Sequence, residues 1–170
     1  MGKEAVKISS VDSKKLIEML NAALSEEWLA YYQYWIGARL MEGPMRMEVE
    51  QELLVHADQE LNHAVMIVNR IIQLGGQPVI NPANWMKHAE CGYAEPTDPY
   101  IETILQQNLE GERCAIERYQ KMAEFTHGKD YATYQMAITI LNEELEHEHD
   151  IEDFIKDLNL MKEEWKKIRL

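Results

Sequence analysis

The sequence predicts an all-α protein, built as a four-helix bundle with one long crossover connection. Apolar residues recur at helical spacing through four long stretches of the chain. Gly and Pro lie almost entirely between those stretches, where they end or precede helices. β-Branched residues are sparse and no hairpin dipeptide is present, so we expect no strand.

The boundaries of each helix follow from caps and breakers. The first helix begins after Asp12 or Ser13, either of which can cap it, and ends near Pro44. Gly75 ends the second helix, and Pro99 suits the first helical position of the third. The four predicted helices span about residues 13–42, 45–74, 98–126 and 129–158. Residues 159–170, which carry Trp165, are the candidate for a short fifth helix.

The connections set the topology of the bundle. Tight turns join the first helix to the second and the third to the fourth, so each pair is antiparallel. The crossover over residues 75–97 is long enough to run the length of the bundle. A connection of this length fits a four-helix bundle with one crossover.

Composition narrows the class of protein. The 170 residues suit one domain over 1–170, and 46% hydrophobic with 28% charged residues is globular. A formal charge of −13 makes nucleic acid an unfavourable partner. Two cysteines form no secreted disulfide framework, and neither a signal peptide nor a membrane span is evident. We expect a cytoplasmic protein that binds no membrane.

A pattern of Glu, His and Tyr residues occurs twice in the chain and contains the candidate functional residues. The second and fourth helices contain ELNH (60–63) and ELEH (144–147), at an offset of 84 residues that their later apolar positions share. The first and third helices share Glu-x-x-Ala-x-x-x-Tyr, at 27–34 and 112–119. Two similar helix hairpins therefore follow one another in the chain.

The repeat predicts a centre for two metal ions. Each Glu-x-x-His places a carboxylate and an imidazole one turn apart, on the same face as the apolar stripe. Four buried carboxylates balance two divalent cations, and oxygen-rich sites with one imidazole each suit Fe or Mn. The predicted metal-binding and catalytic residues are Glu27, Glu60, His63, Glu112, Glu144 and His147.

The sequence leaves the roles of several other residues open. Tyr34 and Tyr119 either hydrogen-bond the ligand carboxylates or carry an electron, or they are plain core residues. His56 either packs in the core or forms part of an entry site for metal ions. Glu110 is an alternative to Glu112 as a metal ligand. Other acids either line an ion route or form ordinary solvated faces; they are Glu110, Glu143, Glu146 and Glu148.

The motifs resemble those of a known family. EWLAYYQY (27–34) with ELNHA (60–64) is similar to the first half of bacterioferritins. ERCAIERY (112–119) with ELEHEH (144–149) is similar to the DPS-like subgroup, also called thioferritins. That subgroup combines a bacterioferritin-type di-iron site with a nearby cysteine pair, which Cys91 and Cys114 match.

The resemblance implies a ferritin-like fold, a dodecameric hollow shell and two iron ions per subunit, with Mn as the alternative metal. It implies oxidation of Fe(II), preferably with hydrogen peroxide rather than dioxygen, storage of ferric mineral and protection against oxidative stress. Glu60 and Glu144 become candidate bridges between the ions. Cys91 and Cys114 become a redox pair, with a pair of small buried hydrophobic residues as the alternative.

The sequence differs from bacterioferritins and from rubrerythrins at one motif each, and it leaves two competing functions open. Leu61 stands where bacterioferritins place a haem-ligating Met, so we expect no haem. The two Cys-x-x-Cys pairs that rubrerythrins append are missing from the sequence. One competing function is a di-metal oxidoreductase acting on a small molecule, such as a manganese catalase or a rubrerythrin-like peroxidase. The other is a structural bundle that binds no metal.

Overall fold

The computed structural model describes residues 3–168, and it is helical almost throughout. The prediction of an all-α bundle is confirmed, because no strand occurs within these residues. Six α-helices follow one another: α1 Lys3–Lys7, α2 Ser13–Leu40, α3 Arg46–Gln73, α4 Trp85–His88, α5 Ile101–Thr126 and α6 Tyr131–Ile168. No helix in this part of the chain combines the length and apolar character needed to cross a membrane.

The four long helices pack as two hairpins, α2 with α3 and α5 with α6. Two apolar clusters hold them together. One contains Leu16, Leu20, Ile67 and Ile140 among others, and the second is built from residues such as Leu53, Ile104 and Ile151. On each long helix these two clusters are separated by a short segment that carries the predicted metal ligands.

The crossover is more structured than the sequence predicts. A short 3₁₀ turn, Pro82–Asn84, precedes α4, and the Asn81 side chain caps the turn by accepting the Ala83 N–H. α4 packs on α2, with the Trp28 and Trp85 rings stacked at 5.4 Å between centroids. The short α1 was not predicted either.

The last residue of α2 and the first residue of α5 differ from the prediction for the same reason. Asp12 caps α2 by accepting the N–H groups of Lys14 and Lys15. α2 then ends at Leu40 because the backbone of Glu42 bonds to the chain before α5: its N–H donates to the Pro99 carbonyl and its carbonyl accepts from Ile101. α5 therefore begins at Ile101 rather than at residue 98.

The prediction of a separate C-terminal helix is wrong. α6 runs unbroken through residue 159 to Ile168, and residues 169–170 lie outside the described residues. The stretch 131–168 contains neither Gly nor Pro, so nothing in it forces a break. Ion pairs at i,i+3 spacing, Glu163–Lys166 and Glu164–Lys167, accompany the last turns.

Candidate metal centre

Six acidic and imidazole side chains meet in the middle of the bundle. They are the six that the repeat predicts, one Glu each from α2 and α5 and a Glu-x-x-His pair each from α3 and α6: Glu27, Glu60, His63, Glu112, Glu144 and His147. Each is at most 3% exposed. The i,i+3 spacing of the pairs turns both members of a pair to the same face of their helix, as the sequence pattern requires.

The first group of ligand atoms surrounds His63. Its Nδ1 lies 3.2 Å from Glu27 Oε2, 3.3 Å from Glu60 Oε2 and 3.3 Å from Glu144 Oε1. These four atoms come from three helices, so the bundle must be assembled before they can meet.

The second group surrounds His147 in the same way. Its Nδ1 lies 3.4 Å from Glu60 Oε1, 3.5 Å from Glu112 Oε2 and 3.3 Å from Glu144 Oε2. Glu60 and Glu144 therefore give one oxygen to each group. Two carboxylates that bridged two neighbouring ions would share their oxygens in this way.

Five of these six distances, from 3.3 to 3.5 Å, are longer than a typical protein hydrogen bond and close to the separation of two ligands on one cation. Two ligands about 2.1 Å from a tetrahedral ion lie about 3.4 Å apart, whereas a protein hydrogen bond is mostly 2.7–3.2 Å long. Five inward atoms also have no hydrogen-bond partner among residues 3–168: Glu60 Oε1, Glu112 Oε2, both Glu144 oxygens and His147 Nδ1. Buried polar atoms without partners are costly, and a bound cation would satisfy all of them.

Burial and mutual repulsion decide the protonation of the metal-free cluster. Burial raises the pKa of Glu27 and of Glu112 well above the ordinary value, and the charges of Glu60 and Glu144 add to this. Burial alone would lower the pKa of both histidines, but the negatively charged carboxylates around each ring raise it, for His147 to about 12. Burial alone would raise the pKa of Glu144, but His147 and His63 hold it below its ordinary value. The cluster therefore keeps protons that incoming cations must displace.

The two tyrosines hydrogen-bond to ligand carboxylates. Tyr34 donates its O–H to Glu112 Oε1, and Tyr119 donates to Glu27 Oε1. Burial, followed by the charge of the adjacent carboxylate, raises the pKa of both phenols, so they remain donors. Each tyrosine thereby fixes the orientation of a carboxylate that faces the centre.

Each imidazole of the centre has a hydrogen-bond partner that was not predicted from the sequence. His63 Nε2 lies 2.6 Å from Glu143 Oε2, and His147 Nε2 lies 2.9 Å from Gln59 Oε1. If each Nε2 carries the proton, Nδ1 is free to bind a metal. The signal was present, since Gln59 and Glu143 directly precede the candidate bridging residues Glu60 and Glu144 and share their 84-residue offset.

Cys91 and Cys114 form a disulfide that joins the crossover to α5. Glu26 holds the crossover segment in place, because its carboxylate accepts the backbone N–H groups of Glu90 and Cys91. The Arg118 guanidinium lies 2.9 Å from Glu26 Oε1 and 3.1 Å from Cys91 Sγ.

A small cavity of about 40 Å³ connects this disulfide with the centre. Its lining includes Cys91 together with Glu27, Glu60, Glu112 and Tyr34. A space of this size accommodates a molecule of about the size of water or peroxide.

Other acids named by the sequence lie apart from the centre. Glu110 is exposed and does not join Glu112, and Glu146 is exposed as well. Glu148 pairs with Arg113 at 2.8 Å on the surface. Only Glu143, of the four surplus acids, contacts the cluster.

Comparison with known proteins gives consistent matches. The ferritin-like domain family matches residues 17–161. A DNA protection during starvation protein from Pyrococcus furiosus is 36% identical over 154 residues, which cover 88% of this chain and 82% of that protein. The bacterioferritin-related protein of Bacteroides fragilis, described as a dodecameric thioferritin, superposes with a TM-score of 0.94 at 52% identity, covering 96% of this chain and 98% of that one. The bacterioferritin of Rhodobacter capsulatus, whose dinuclear site is metal-free in that structure, superposes with a TM-score of 0.71 at 25% identity, covering 86% of each chain.

Proposed function

This chain belongs to the ferritin-like family, and from that premise we propose that it oxidises Fe²⁺ at the six-residue centre, preferably with hydrogen peroxide, and stores the ferric product. The observation that carries the proposal is the sharing of Glu60 and Glu144 between two imidazole-centred groups of ligand atoms. Two ions held by shared carboxylates are close enough to act on one small oxidant together.

The reaction uses two iron ions as substrate. Each Fe²⁺ gives up one electron: 2 Fe²⁺ + H₂O₂ + 2 H⁺ → 2 Fe³⁺ + 2 H₂O. The four carboxylates carry −4 against +4 for the reduced pair, and they attract the +6 oxidised pair more strongly. Tyr34 and Tyr119 keep Glu112 and Glu27 oriented through this change, while Glu143 and Gln59 hold the two rings.

The disulfide extends the proposal to a second reductant. We propose that the reduced pair Cys91 and Cys114 also consumes peroxide: 2 R–SH + H₂O₂ → R–S–S–R + 2 H₂O. The cavity that Cys91 shares with Glu27, Glu60 and Glu112 supports this proposal, because one peroxide molecule there faces both the sulfur and the centre.

Storage requires an enclosed space, and a homo-oligomeric shell would supply one. The Bacteroides fragilis relative is described as dodecameric, and we propose the same assembly for this chain, with two iron ions bound per subunit before mineral forms. The starvation protein's name assigns DNA protection to that relative. Our proposal for this chain concerns iron and peroxide.

The test compares two neighbouring glutamates of α5. Iron-loaded, oxygen-free protein receives hydrogen peroxide, and Fe³⁺ absorbance is followed over time. We expect two Fe²⁺ oxidised per peroxide by the wild-type protein, and slower oxidation with dioxygen. Glu112→Gln should lower the initial rate on the order of 100-fold, because it removes a ligand charge. Glu110→Gln, the same change at an exposed position two residues away, should leave the rate unchanged.

Equal rates for Glu112→Gln and Glu110→Gln would contradict the proposed centre. Release of dioxygen from peroxide without net iron oxidation would instead support the catalase-like alternative, since that reaction is 2 H₂O₂ → O₂ + 2 H₂O. A wild-type protein that fails to bind Fe²⁺ would support a structural bundle without metal.

A further inference from the structure

A second group of potential ligands lies outside the six-residue centre. Glu52 and His56 stand four residues apart on α3, and Asp150 faces them from α6. We call these three residues the outer cluster. The His56 side chain is 2% exposed, whereas Glu52 and Asp150 are 38% and 45% exposed. The outer cluster therefore joins the surface to the interior of the bundle.

The outer cluster opens into a surface pocket. The pocket holds about 210 Å³ and is lined by Glu52, Asp150, Asp153, Phe154 and Asp157. Four of these five residues are acidic, so the pocket attracts cations, and it leaves room for water molecules around an ion.

His56 is the observation that turns this acidic pocket into a site. Neither of its ring nitrogens forms a hydrogen bond with any described residue, although the ring is buried. A buried imidazole without partners is costly, and native proteins rarely keep one without a reason. The ring stacks on His147 at 4.1 Å between centroids, and the carboxylates of Glu52 and Asp150 lie within 3.6 Å of Nε2.

The distances to those acids match ligation rather than hydrogen bonding. His56 Nε2 lies 3.5 Å from Asp150 Oδ2 and 3.6 Å from Glu52 Oε1. Both exceed the usual length of a hydrogen bond, but both are near the roughly 3.4 Å that separates two ligands of one tetrahedral ion.

Comparison across the internal repeat shows that packing of the bundle does not require polar residues at the three positions of the outer cluster. At the 84-residue offset, the positions equivalent to Glu52, His56 and Asp150 carry Met136, Ile140 and Met66. Ile140 is fully buried, and Met136 and Met66 pack in the same apolar cluster. The fold therefore accepts apolar residues at these positions, and polar ones occur on only one side of the centre.

We propose that Glu52, His56 and Asp150 bind a third divalent transition-metal cation, separate from the two-ion centre. One imidazole nitrogen and two carboxylate oxygens suit Fe²⁺, Zn²⁺ or Co²⁺ better than Mg²⁺ or Ca²⁺, which prefer oxygen alone. Water from the surface pocket completes the coordination. The proposal does not depend on iron oxidation at the centre.

The experiment counts Co²⁺ per subunit, by equilibrium dialysis followed by elemental analysis. His56→Leu should bind one Co²⁺ fewer than wild type, and so should the double variant Glu52→Gln/Asp150→Asn. Asp157→Asn removes a charge from the same pocket but lies outside the outer cluster, so it should bind as wild type does. A centre variant, Glu60→Gln/Glu144→Gln, should lose its central ions and retain the third.

Thermal unfolding provides a second measurement that separates metal binding from packing. Without metal, His56→Leu should be at least as stable as wild type, because leucine resembles Ile140 at the equivalent position and leaves no unpaired nitrogen. In the centre-variant background, Co²⁺ should raise the unfolding temperature only when His56 is present.

The proposal is overturned if His56→Leu binds as many Co²⁺ ions as wild type, or if Asp157→Asn loses as many as the double variant. It is also overturned if a folded centre variant binds no Co²⁺. If Glu112→Gln loses iron oxidation but still binds Co²⁺ at the outer cluster, the result supports both proposals. Failure of iron oxidation in wild type would affect only the proposed function.

Discussion

Four of the six side chains of the centre are oriented by a residue from the opposite helix hairpin. Tyr119 of the second hairpin holds Glu27 of the first, and Tyr34 of the first holds Glu112 of the second. The imidazoles follow the same rule, through Glu143 and Gln59. Neither hairpin alone can present a complete site, so docking of the hairpins and formation of the centre are one event.

Arg118 is the residue expected to control how fast the cysteine pair reacts. Its guanidinium lies 3.1 Å from Cys91 Sγ, where it favours the thiolate that attacks peroxide. In reduced protein, Arg118→Met should slow the loss of thiols after peroxide addition about tenfold. Thiol titration over time measures this rate. Arg113→Met, an exposed change on the same helix, serves as the control.

Two outcomes would count against this role for Arg118. Wild-type protein that keeps all its thiols after peroxide would remove the redox function of the pair. Equal rates in Arg118→Met and Arg113→Met would show that the guanidinium does not act on Cys91.

Asp130 makes the stability of the fold depend on pH. It accepts the Thr133 N–H at the start of α6 and pairs with Arg70 of α3 at 2.7 Å, and both side chains are buried. Burial alone would raise the pKa of Asp130, but Thr133 and Arg70 hold it below its ordinary value. The stability from this pair is therefore full above about pH 4 and is lost as pH falls through the folded-state value.

Asp130→Asn should lower the free energy of unfolding by about 3–5 kcal/mol at neutral pH, because it leaves Arg70 buried without its charge partner. Asn still caps a helix, so the effect reports on charge rather than on capping. Denaturant unfolding from pH 7 to pH 3 should show the difference from wild type shrinking below about pH 4. A difference that does not vary with pH would contradict the electrostatic origin.

The turn between α2 and α3 requires glycine at position 43. Gly43 adopts a φ of +135°, and a Cβ added there would lie 2.8 Å from Ile101 Cγ2. The turn lies against the start of α5, where Glu42 bonds to Pro99 and Ile101. The connection within one hairpin therefore also positions the other hairpin.

Gly43→Ala should destabilise the protein by about 3 kcal/mol, since it combines a strained φ with a clash against buried Ile101. Gly128→Ala is the matched control, because Gly128 also has a positive φ of 71° but nothing within 4 Å of an added Cβ. That change should cost only about 1 kcal/mol. Equal losses in the two variants, measured by denaturant unfolding, would show that contact with Ile101 is unimportant.

The whole molecule leaves large apolar side chains exposed near both ends of α6. Tyr131 is 72% exposed, and Trp165 and Ile168 are 63% and 81% exposed. Exposed residues of this kind are typical of surfaces that other subunits cover. They agree with the proposed shell, which would bury them between copies of the chain.

Light scattering during size-exclusion chromatography should give a mass of about 240 kDa, that of twelve copies of the 19.9 kDa chain. Such a closed assembly also keeps mineral inside. A mass of one or two chains would contradict the shell and would favour the small-molecule oxidoreductase instead.

The bundle and its six inward-facing acidic and imidazole side chains could be predicted from the amino-acid sequence alone. Helical periodicity and helix breakers are local signals, and the repeat is visible by comparing segments 84 residues apart along the chain. Such a repeat indicates that equivalent residues lie at equivalent depths in the two hairpins. The prediction that the last long helix ends at residue 158 was wrong, because no Gly or Pro in residues 131–168 forces a break.

The contacts between side chains of different helices could not be predicted and became evident only in the folded protein. No spacing along one chain reveals that Glu60 and Glu144 share two imidazoles, that Arg118 meets Cys91, or that Asp150 faces His56. These relations depend on the rotation and height of one helix against another, which packing of side chains sets and which a repeat along the sequence does not record.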